Sequence, residues 1–194
     1  MLLSGYTRDK DLNPIAGANV YVMSERFEPL HQTVSDEKGF YSFNLPAGKY
    51  KYLVAVKDYG EKYLEYWCEN IDLSEDRSID ARFDTLEVYG LNVFRVMGGH
   101  PALMVYFRPM SLEKFRAGEA DICPDITSIR AFVNGGEVAV LETNKVREFA
   151  GDRSMGAYLI QAALPEGVNE WERVDVEIRD DKDAFGMATL FAKK

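Results

Sequence analysis

The sequence offers two histidines for proton transfer at neutral pH, His31 and His100. They lie in separate polar turns, so their spacing predicts neither a zinc-binding pair nor a shared proton relay. A serine hydrolase needs Gly-x-Ser-x-Gly at a turn from a strand into a helix. The nearest match, residues 151–156, has one residue too many and no helical pattern after it. We therefore expect a flexible loop there.

Carboxylates are the next candidates, because the chain carries 32 acidic residues. That number produces acidic pairs throughout the sequence, and none stands out as the two carboxylates of a glycosidase. The glycine pairs at 98–99 and 135–136 are not followed by lysine, which argues against a phosphate-binding loop. The sequence thus predicts a protein that is not an enzyme and needs no cofactor.

Metal and redox chemistry find little support. The acidic run at 180–183 is interpreted as a charged hairpin turn. The aspartates spaced by four between residues 72 and 84 extend too far along a strand to surround one calcium ion. Cys68 and Cys123 lack metal-binding or redox spacing. We interpret them as unpaired, partly buried thiols, with one disulfide between domains as the alternative.

Residues 59–68 form the most distinctive segment, in which aromatic and charged side chains mix. Such segments occur in loops that stack on sugars or bind proteins. The candidate contacts for a ligand or partner are Tyr59, Tyr63, Tyr66 and Trp67. The alternative is that these rings cover the core of the first domain or its contact with the second. Trp171 is interpreted as a core residue.

Most of the sequence alternates between apolar and polar residues, as half-buried strands do. Turn residues separate many short strands, and Asn134-Gly135-Gly136 is a strong hairpin signal. Only residues 111–118 have a helical pattern, with Ser111 as N-cap. The fold class predicted is all-β, with two tandem β-sandwich domains at 1–85 and 86–194 and at most one short helix.

Charge and hydropathy limit the partners. A net charge of −9 repels phosphate backbones, so we expect no nucleic acid partner. No apolar run is long enough to span a membrane, and we expect no membrane insertion. Residues 1–3 lead at once into a strand pattern, so the sequence predicts no signal peptide, and the chain is either cytoplasmic or a piece of an exported protein.

Four segments of the first half follow one another in a characteristic order: LSGYT at 3–7, PIAGANVYV at 14–22, TVSDEKGFYSF at 33–43 and LPAGKY at 45–50. Asp36 and Gly39 fit a turn in which the aspartate caps backbone N–H groups. This order resembles the carboxypeptidase regulatory-like domain, a small transthyretin-like sandwich, over about residues 2–84. Tyr59-Gly60 departs from the Gly-Tyr that members of the family often carry. The second half resembles only a generic immunoglobulin-like sandwich.

The resemblance implies an accessory domain without active-site residues, found beside catalytic domains or in surface proteins. It implies a secreted, periplasmic or cell-surface location. The hypothesis that follows is a non-catalytic structural or protein-interaction module in an exported or surface-associated assembly. The alternatives are a carbohydrate-binding module that uses residues 59–67 and an accessory domain of a larger enzyme. The oligomeric state is left open.

Overall fold

The computed structural model describes residues 1–165, 167–168 and 170–193. Its fold class is all-β with one short helix in that part of the chain, as the sequence predicts. The strands of the first half are β1 (Leu2–Arg8), β2 (Asn19–Met23), β3 (Pro29–Val34), β4 (Phe40–Asn44), β5 (Gly48–Val56), β6 (Tyr66–Leu73), β7 (Arg77–Ser78) and β8 (Ala81–Arg82). The second half contains β9 (Leu86–Phe94), β10 (Ala102–Ser111), helix α1 (Leu112–Arg116), β11 (Ile126–Val133), β12 (Gly136–Val138), β13 (Val140–Ala150), β14 (Arg153–Ala163), β15 (Arg173–Asp180) and β16 (Phe185–Phe191).

The described residues form three sheets. In the described part of the chain, eight strands form one sheet in the order β12-β11-β15-β16-β6-β5-β2-β3, which we call the shared sheet. A first outer sheet has the order β4-β1-β7, with β8 also paired to β1. A second outer sheet has the order β13-β14-β10-β9. The shared sheet takes strands from both halves of the sequence.

Two separate apolar cores lie on opposite faces of the shared sheet. The first core contains the buried rings of Tyr41, Tyr66 and Phe83. The second contains Phe107 and Leu103, among other residues of the second half. Burial of side chains of this size contributes about 1.5–3 kcal/mol each, so each core is a major source of stability.

Strand β16 belongs to both cores because its side chains alternate between the two faces of the sheet. Phe185, Met187 and Phe191 lie in the first core. Ala188 and Leu190 lie in the second. The same strand pairs in parallel with β6, where Thr189 is opposite Cys68. Backbone hydrogen bonds and both cores therefore join the two halves along β16, while the division at residue 85 stays a prediction.

The local predictions for the second half have mixed outcomes. The helix is confirmed: α1 follows Ser111, whose hydroxyl accepts a hydrogen bond from the Lys114 amide. The loop expected at 151–156 is wrong, because Gly151 and Asp152 form a tight turn and β14 begins at Arg153. Among the described residues, no helix has the length and apolar character needed to cross a membrane.

Candidate binding site

The structure separates the four aromatic residues predicted as contacts. Tyr59 is 54% exposed in the turn before β6. Tyr63 is half-buried and meets the ring of Phe83 edge-on, with centroids 5.5 Å apart. Tyr66 and Trp67 are consecutive in β6 and therefore point to opposite faces of the shared sheet. Trp67 lines a groove together with several other aromatic rings, whereas Tyr59 lines a separate, small pocket beside Phe115.

Tyr66 faces the first core and has 0% exposure, so a ligand at the surface does not reach it. Its hydroxyl donates a hydrogen bond to Thr189 Oγ1. Burial raises the pKa of this hydroxyl well above its usual value. Tyr66 is thus a packing residue at the junction of the halves, and we correct its assignment as a contact.

Trp67 stands at the centre of a cluster of four rings on the other face. Tyr52 on β5 and Tyr89 on β9 meet it edge-on, with centroids at 5.7 Å and 5.8 Å. Phe27 stacks on Tyr52 with centroids 5.0 Å apart and also meets Trp67 edge-on at 6.1 Å. These separations fall in the range where aromatic pairs attract. The cluster joins four segments that are distant in sequence.

Phe27 is held in this cluster by an unusual backbone conformation. Its φ is +59°, in the left-handed region that bulky residues rarely adopt. The turn between β2 and β3 fixes that conformation: Phe27 N–H donates to the Ser24 carbonyl, and Ser24 Oγ accepts from the amides of Arg26 and Glu28. Yet the ring of Phe27 remains 48% exposed. Backbone strain that presents an exposed ring is typical of binding surfaces.

Three of these rings, Phe27, Trp67 and Tyr89, border a groove of about 480 Å³ on the shared sheet, beside the edge strand β9. Its floor comes from β2, β5 and β6, where the second outer sheet does not cover them. We call this the aromatic groove. It is lined by Tyr21, Met23, Phe27, Pro29, Val54, Glu65, Trp67 and Tyr89.

Two carboxyl groups lie at the aromatic groove. Glu87 on β9 has 1% exposure and accepts hydrogen bonds from Trp67 Nε1 at 2.9 Å and from the Glu65 amide at 3.3 Å. Glu65 lines the groove, and in the described part of the chain no group donates a hydrogen bond to its carboxyl. Burial raises the pKa of Glu65 to about 7. Burial, and then the charge of Glu65, raise the pKa of Glu87 to about 8.

The first half also contains the turn that the sequence predicts. Asp36 Oδ1 accepts hydrogen bonds of 2.8 Å from the amides of Lys38 and Phe40. Gly39 has φ +76°, and a Cβ there would lie 2.4 Å from the Thr7 carbonyl oxygen, so only glycine fits. Residues 3–84 match the carboxypeptidase regulatory-like domain. The match ends one residue before the predicted division of the chain.

Solved structures give more distant likenesses, and the chain matches no curated protein sequence. The alignment with the major pilin subunit BcpA*(D312A) of Bacillus cereus covers 100% of this chain and 69% of that one, with 12% identity and a TM-score of 0.33. For a DUF3823 family protein from Parabacteroides merdae, both coverages are 97%, with 12% identity and a TM-score of 0.32. For Bacteroides ovatus SGBP-B in complex with a mixed-linkage heptasaccharide, 98% of this chain and 43% of that one align, with 10% identity and a TM-score of 0.28.

The aromatic groove lies where the regulatory-like domain meets β9. Its carboxyls exchange protons near neutral pH, which is a property of catalytic acids and bases. Glycoside hydrolysis, however, needs two carboxyls that flank a substrate. Glu87 is enclosed and already engaged by Trp67 and the Glu65 amide, so only Glu65 is open to the groove. The geometry suits binding better than hydrolysis.

The other residues considered for chemistry have ordinary surroundings. Cys68 and Cys123 are both free, as predicted, but they are fully rather than partly buried, and burial raises the pKa of the Cys123 thiol to about 11. Asp76 and Asp80 accept hydrogen bonds from the backbone of β1. His31 and His100 are exposed, but His31 lies within β3, where it pairs with Val22, so its placement in a turn is wrong. Trp171 packs against the second core as predicted. Among the described residues, no three potential metal ligands converge.

Sequence reasoning identified Trp67 but missed its partners in the aromatic groove, namely Phe27, Tyr52, Glu65, Glu87 and Tyr89. One signal was present: Glu87 stands between Leu86 and Val88 in a strand that is otherwise apolar at its start. A carboxyl in such a position needs a specific partner, because its burial is costly. Phe27, Tyr52 and Glu65 come from separate segments of the regulatory-like domain and Tyr89 comes from β9, and these residues carry no local pattern.

Proposed function

We propose that the chain is a non-catalytic module for structural or protein-interaction roles, whose two halves act as one rigid unit. The observation that carries this proposal is the position of β16, which contributes side chains to both cores and pairs with β6. Separating the halves would expose apolar surface on both faces of the shared sheet and break this strand pairing. A spacer or presenting module needs such a fixed geometry.

Side chains reinforce the junction. Arg82 of the first half pairs with Glu177 of β15 at 2.5 Å, and its guanidinium lies 4.5 Å from the centroid of the Phe185 ring. Both members of the ion pair are largely buried. Charge-assisted hydrogen bonds of this kind fix a relative orientation because their geometry is strict.

Denaturant unfolding followed by two probes tests the rigid unit. Trp67 and Trp171 fluorescence, recorded separately in Trp67→Phe and Trp171→Phe variants, should give superimposable transitions. Limited proteolysis should leave residues 84–86 intact. Two separate transitions, or early cleavage at residue 85, would contradict the proposal. Hydrolysis of chromogenic glycosides that is lost in Glu65→Gln would contradict the proposal that the module is non-catalytic.

The aromatic groove supports a second candidate, a carbohydrate-binding module. Exposed rings stack on the apolar faces of sugars, and the open carboxyl of Glu65 is an acceptor for hydroxyl groups. A glycan array with Trp67→Ala and Phe27→Ala variants tests it, and Phe149→Ala is the matched control. Phe149 is 79% exposed on β13, away from the groove. A signal that all variants retain would exclude this site. Tyr59 and Tyr63 remain proposed peripheral contacts.

Location and wider context are proposals that rest on the family match. The resemblance to regulatory-like domains implies an accessory domain of exported or surface proteins, so we propose that this chain belongs to a secreted, periplasmic or cell-surface assembly. Its partners are then a protein or a carbohydrate, and a net charge of −9 disfavours nucleic acid. A role as accessory domain of a larger enzyme stays the third candidate.

A further inference from the structure

Among the described residues that line the aromatic groove, Glu65 is the one with a charged side chain. Its carboxyl has no hydrogen bond or ion pair with the described part of the chain. The rest of its surroundings in the groove are rings and apolar side chains, together with the Tyr21 side chain. A carboxylate in such surroundings loses part of its hydration, and no side chain of the groove replaces that part. Glu87 behind it adds a second acidic group. In the described part of the chain its hydrogen-bond donors are a neutral indole and an amide, and the charge of Arg108 acts on it from outside the groove lining.

The cations near the groove are engaged elsewhere. Lys51 lies 4.7 Å from the centroid of the Tyr52 ring but pairs with Glu69 at 2.7 Å. Arg108 lies 5.0 Å from the centroid of the Tyr89 ring and pairs with Glu148 at 3.3 Å. Two rings of the cluster therefore already carry cations, and neither Lys51 nor Arg108 lines the groove. The interior has aromatic and acidic groups but no cation of its own in the described part of the chain.

We propose that the aromatic groove receives one cationic side chain, the ammonium of a lysine or the guanidinium of an arginine, from a partner protein. A cation there would pair with Glu65 and lie against the faces of Phe27 and Trp67. A neutral sugar would satisfy hydrogen bonds but leave the negative charge uncompensated. The inference rests on the proposed protein-interaction role and specifies its site.

A protein partner also suits the strand beside the groove. Strand β3 ends the order of the shared sheet and pairs only with β2 in the described part of the chain. Pro29 at its start lines the groove. The outer edge of β3 offers N–H and C=O groups to an extended segment, which is a common mode of peptide recognition. The net charge of −9 would attract a basic segment from a distance.

The experiment is an NMR titration of the ¹⁵N-labelled indole groups. The chain has two tryptophans, so a Trp67→Phe variant assigns both signals, and Trp171 is an internal control. The probes are N-acetyl-lysine amide and N-acetyl-arginine amide at pH 8, where Glu65 is mostly ionised. N-acetyl-norleucine amide and N-acetyl-citrulline amide have nearly the same shapes without the charge.

We expect the Trp67 signal to shift saturably with the two cationic probes and at least tenfold more weakly with the neutral ones. Glu65→Gln should reduce the response to lysine to the level of norleucine. Glu75→Gln, an exposed acid away from the groove, should leave it unchanged. Equal responses to charged and neutral probes, no response, or a response to oligosaccharides alone would overturn the inference. The two-probe unfolding test is independent of these outcomes and judges the rigid unit separately.

Discussion

The hydroxyl of Tyr66 donates a 2.7 Å hydrogen bond to Thr189 Oγ1, although 123 positions separate the two residues in sequence. Thr189 in turn donates to Asp175 Oδ1 at 2.5 Å, and Arg173 donates to the Asp175 carboxylate from Nε at 2.9 Å and from Nη2 at 2.7 Å. The series runs across β6, β16 and β15 beside the first core. Each polar side chain in the series has the next one as its hydrogen-bond partner, so the network fixes how the strands from the two halves align.

Tyr66→Phe tests the first link of this network. The ring stays in the first core, but Thr189 loses a donor, and we expect the free energy of unfolding to fall by about 1–2 kcal/mol. Urea unfolding followed by circular dichroism measures the change. Tyr59→Phe is the control, because that tyrosine is half-exposed, and its effect should stay within about 0.5 kcal/mol. Equal effects of the two variants would contradict a structural role for the Tyr66 hydroxyl.

Asp175→Asn tests the charged end of the network. Asp175 is buried, so its removal leaves the guanidinium of Arg173 without a carboxylate in a largely enclosed site. We expect a loss of roughly 2–3 kcal/mol, below the value for fully buried pairs because water reaches part of Arg173. Asp152→Asn removes an exposed carboxylate that pairs with Arg153 and should change the stability little. Thermal and urea unfolding of both variants give the comparison.

Gly156 is a point of close packing in the second core. A Cβ there would lie 2.8 Å from Cys123 Sγ and 2.9 Å from Cys123 Cβ. Gly156→Ala should therefore cost about 1–3 kcal/mol of unfolding free energy through overpacking. Gly48→Ala is the matched control, since no atom lies within 4 Å of its added Cβ, and it should stabilise the fold by about 0.4–1 kcal/mol. Equal signs for the two changes would contradict the packing described.

Local features of this fold are readable in the sequence, whereas its connections are not. The Asp36–Gly39 turn and the Ser111 cap depend on neighbouring residues, and both are present as predicted. Strand β13 has no recognisable sequence pattern because it is an edge strand with mostly exposed side chains and no apolar alternation. The pairing of β6 with β16 depends on residues about 120 positions apart, and no local pattern encodes it.

The candidate site shows the same limit. Trp67 was identifiable as an aromatic residue in a polar context, and so was Tyr66. Tyr66 is buried and Trp67 lines the groove because side chains alternate along β6 and the second outer sheet leaves part of one face uncovered. That second fact is a property of the whole fold. Phe27 reaches the groove through a turn in which its φ is positive. Phenylalanine does not favour that conformation, so the residue type gives no sign of the turn.

At position 27 we expect glycine to be favoured over alanine, the reverse of the usual order. At φ +59°, alanine is strained and glycine is not, so Phe27→Gly should be more stable than Phe27→Ala by about 1 kcal/mol. Both variants lose the ring contacts with Tyr52 and Trp67 equally. Urea unfolding compares them directly. An alanine variant that equals or exceeds the glycine variant would mean that the turn has a different backbone conformation.

The carboxyls of the aromatic groove should make stability depend on pH. Their folded pKa values of about 7 for Glu65 and about 8 for Glu87 lie above the value of about 4.3 for an unfolded glutamate. Between about pH 4.5 and 8 the folded chain thus binds more protons than the unfolded chain. The free energy of unfolding therefore falls as the pH rises through this window, and the loss is complete above it. The facing groups are Tyr59, Arg108 and the indole of Trp67.

The measurement is the free energy of unfolding from pH 5 to pH 9 for the wild type and for Glu65→Gln. One proton contributes a slope of at most about 1.4 kcal/mol per pH unit, and Glu65 contributes less because water reaches it. Its removal also relieves the repulsion that raises the pKa of Glu87, so the Glu65→Gln curve should be flatter across the window. Glu75→Gln removes the same net charge from an exposed site and should keep the slope of the wild type. Parallel curves for wild type and Glu65→Gln would mean that Glu65 ionises as freely in the folded chain as in the unfolded one, and the charge that is expected to attract a cationic partner would then be hydrated already.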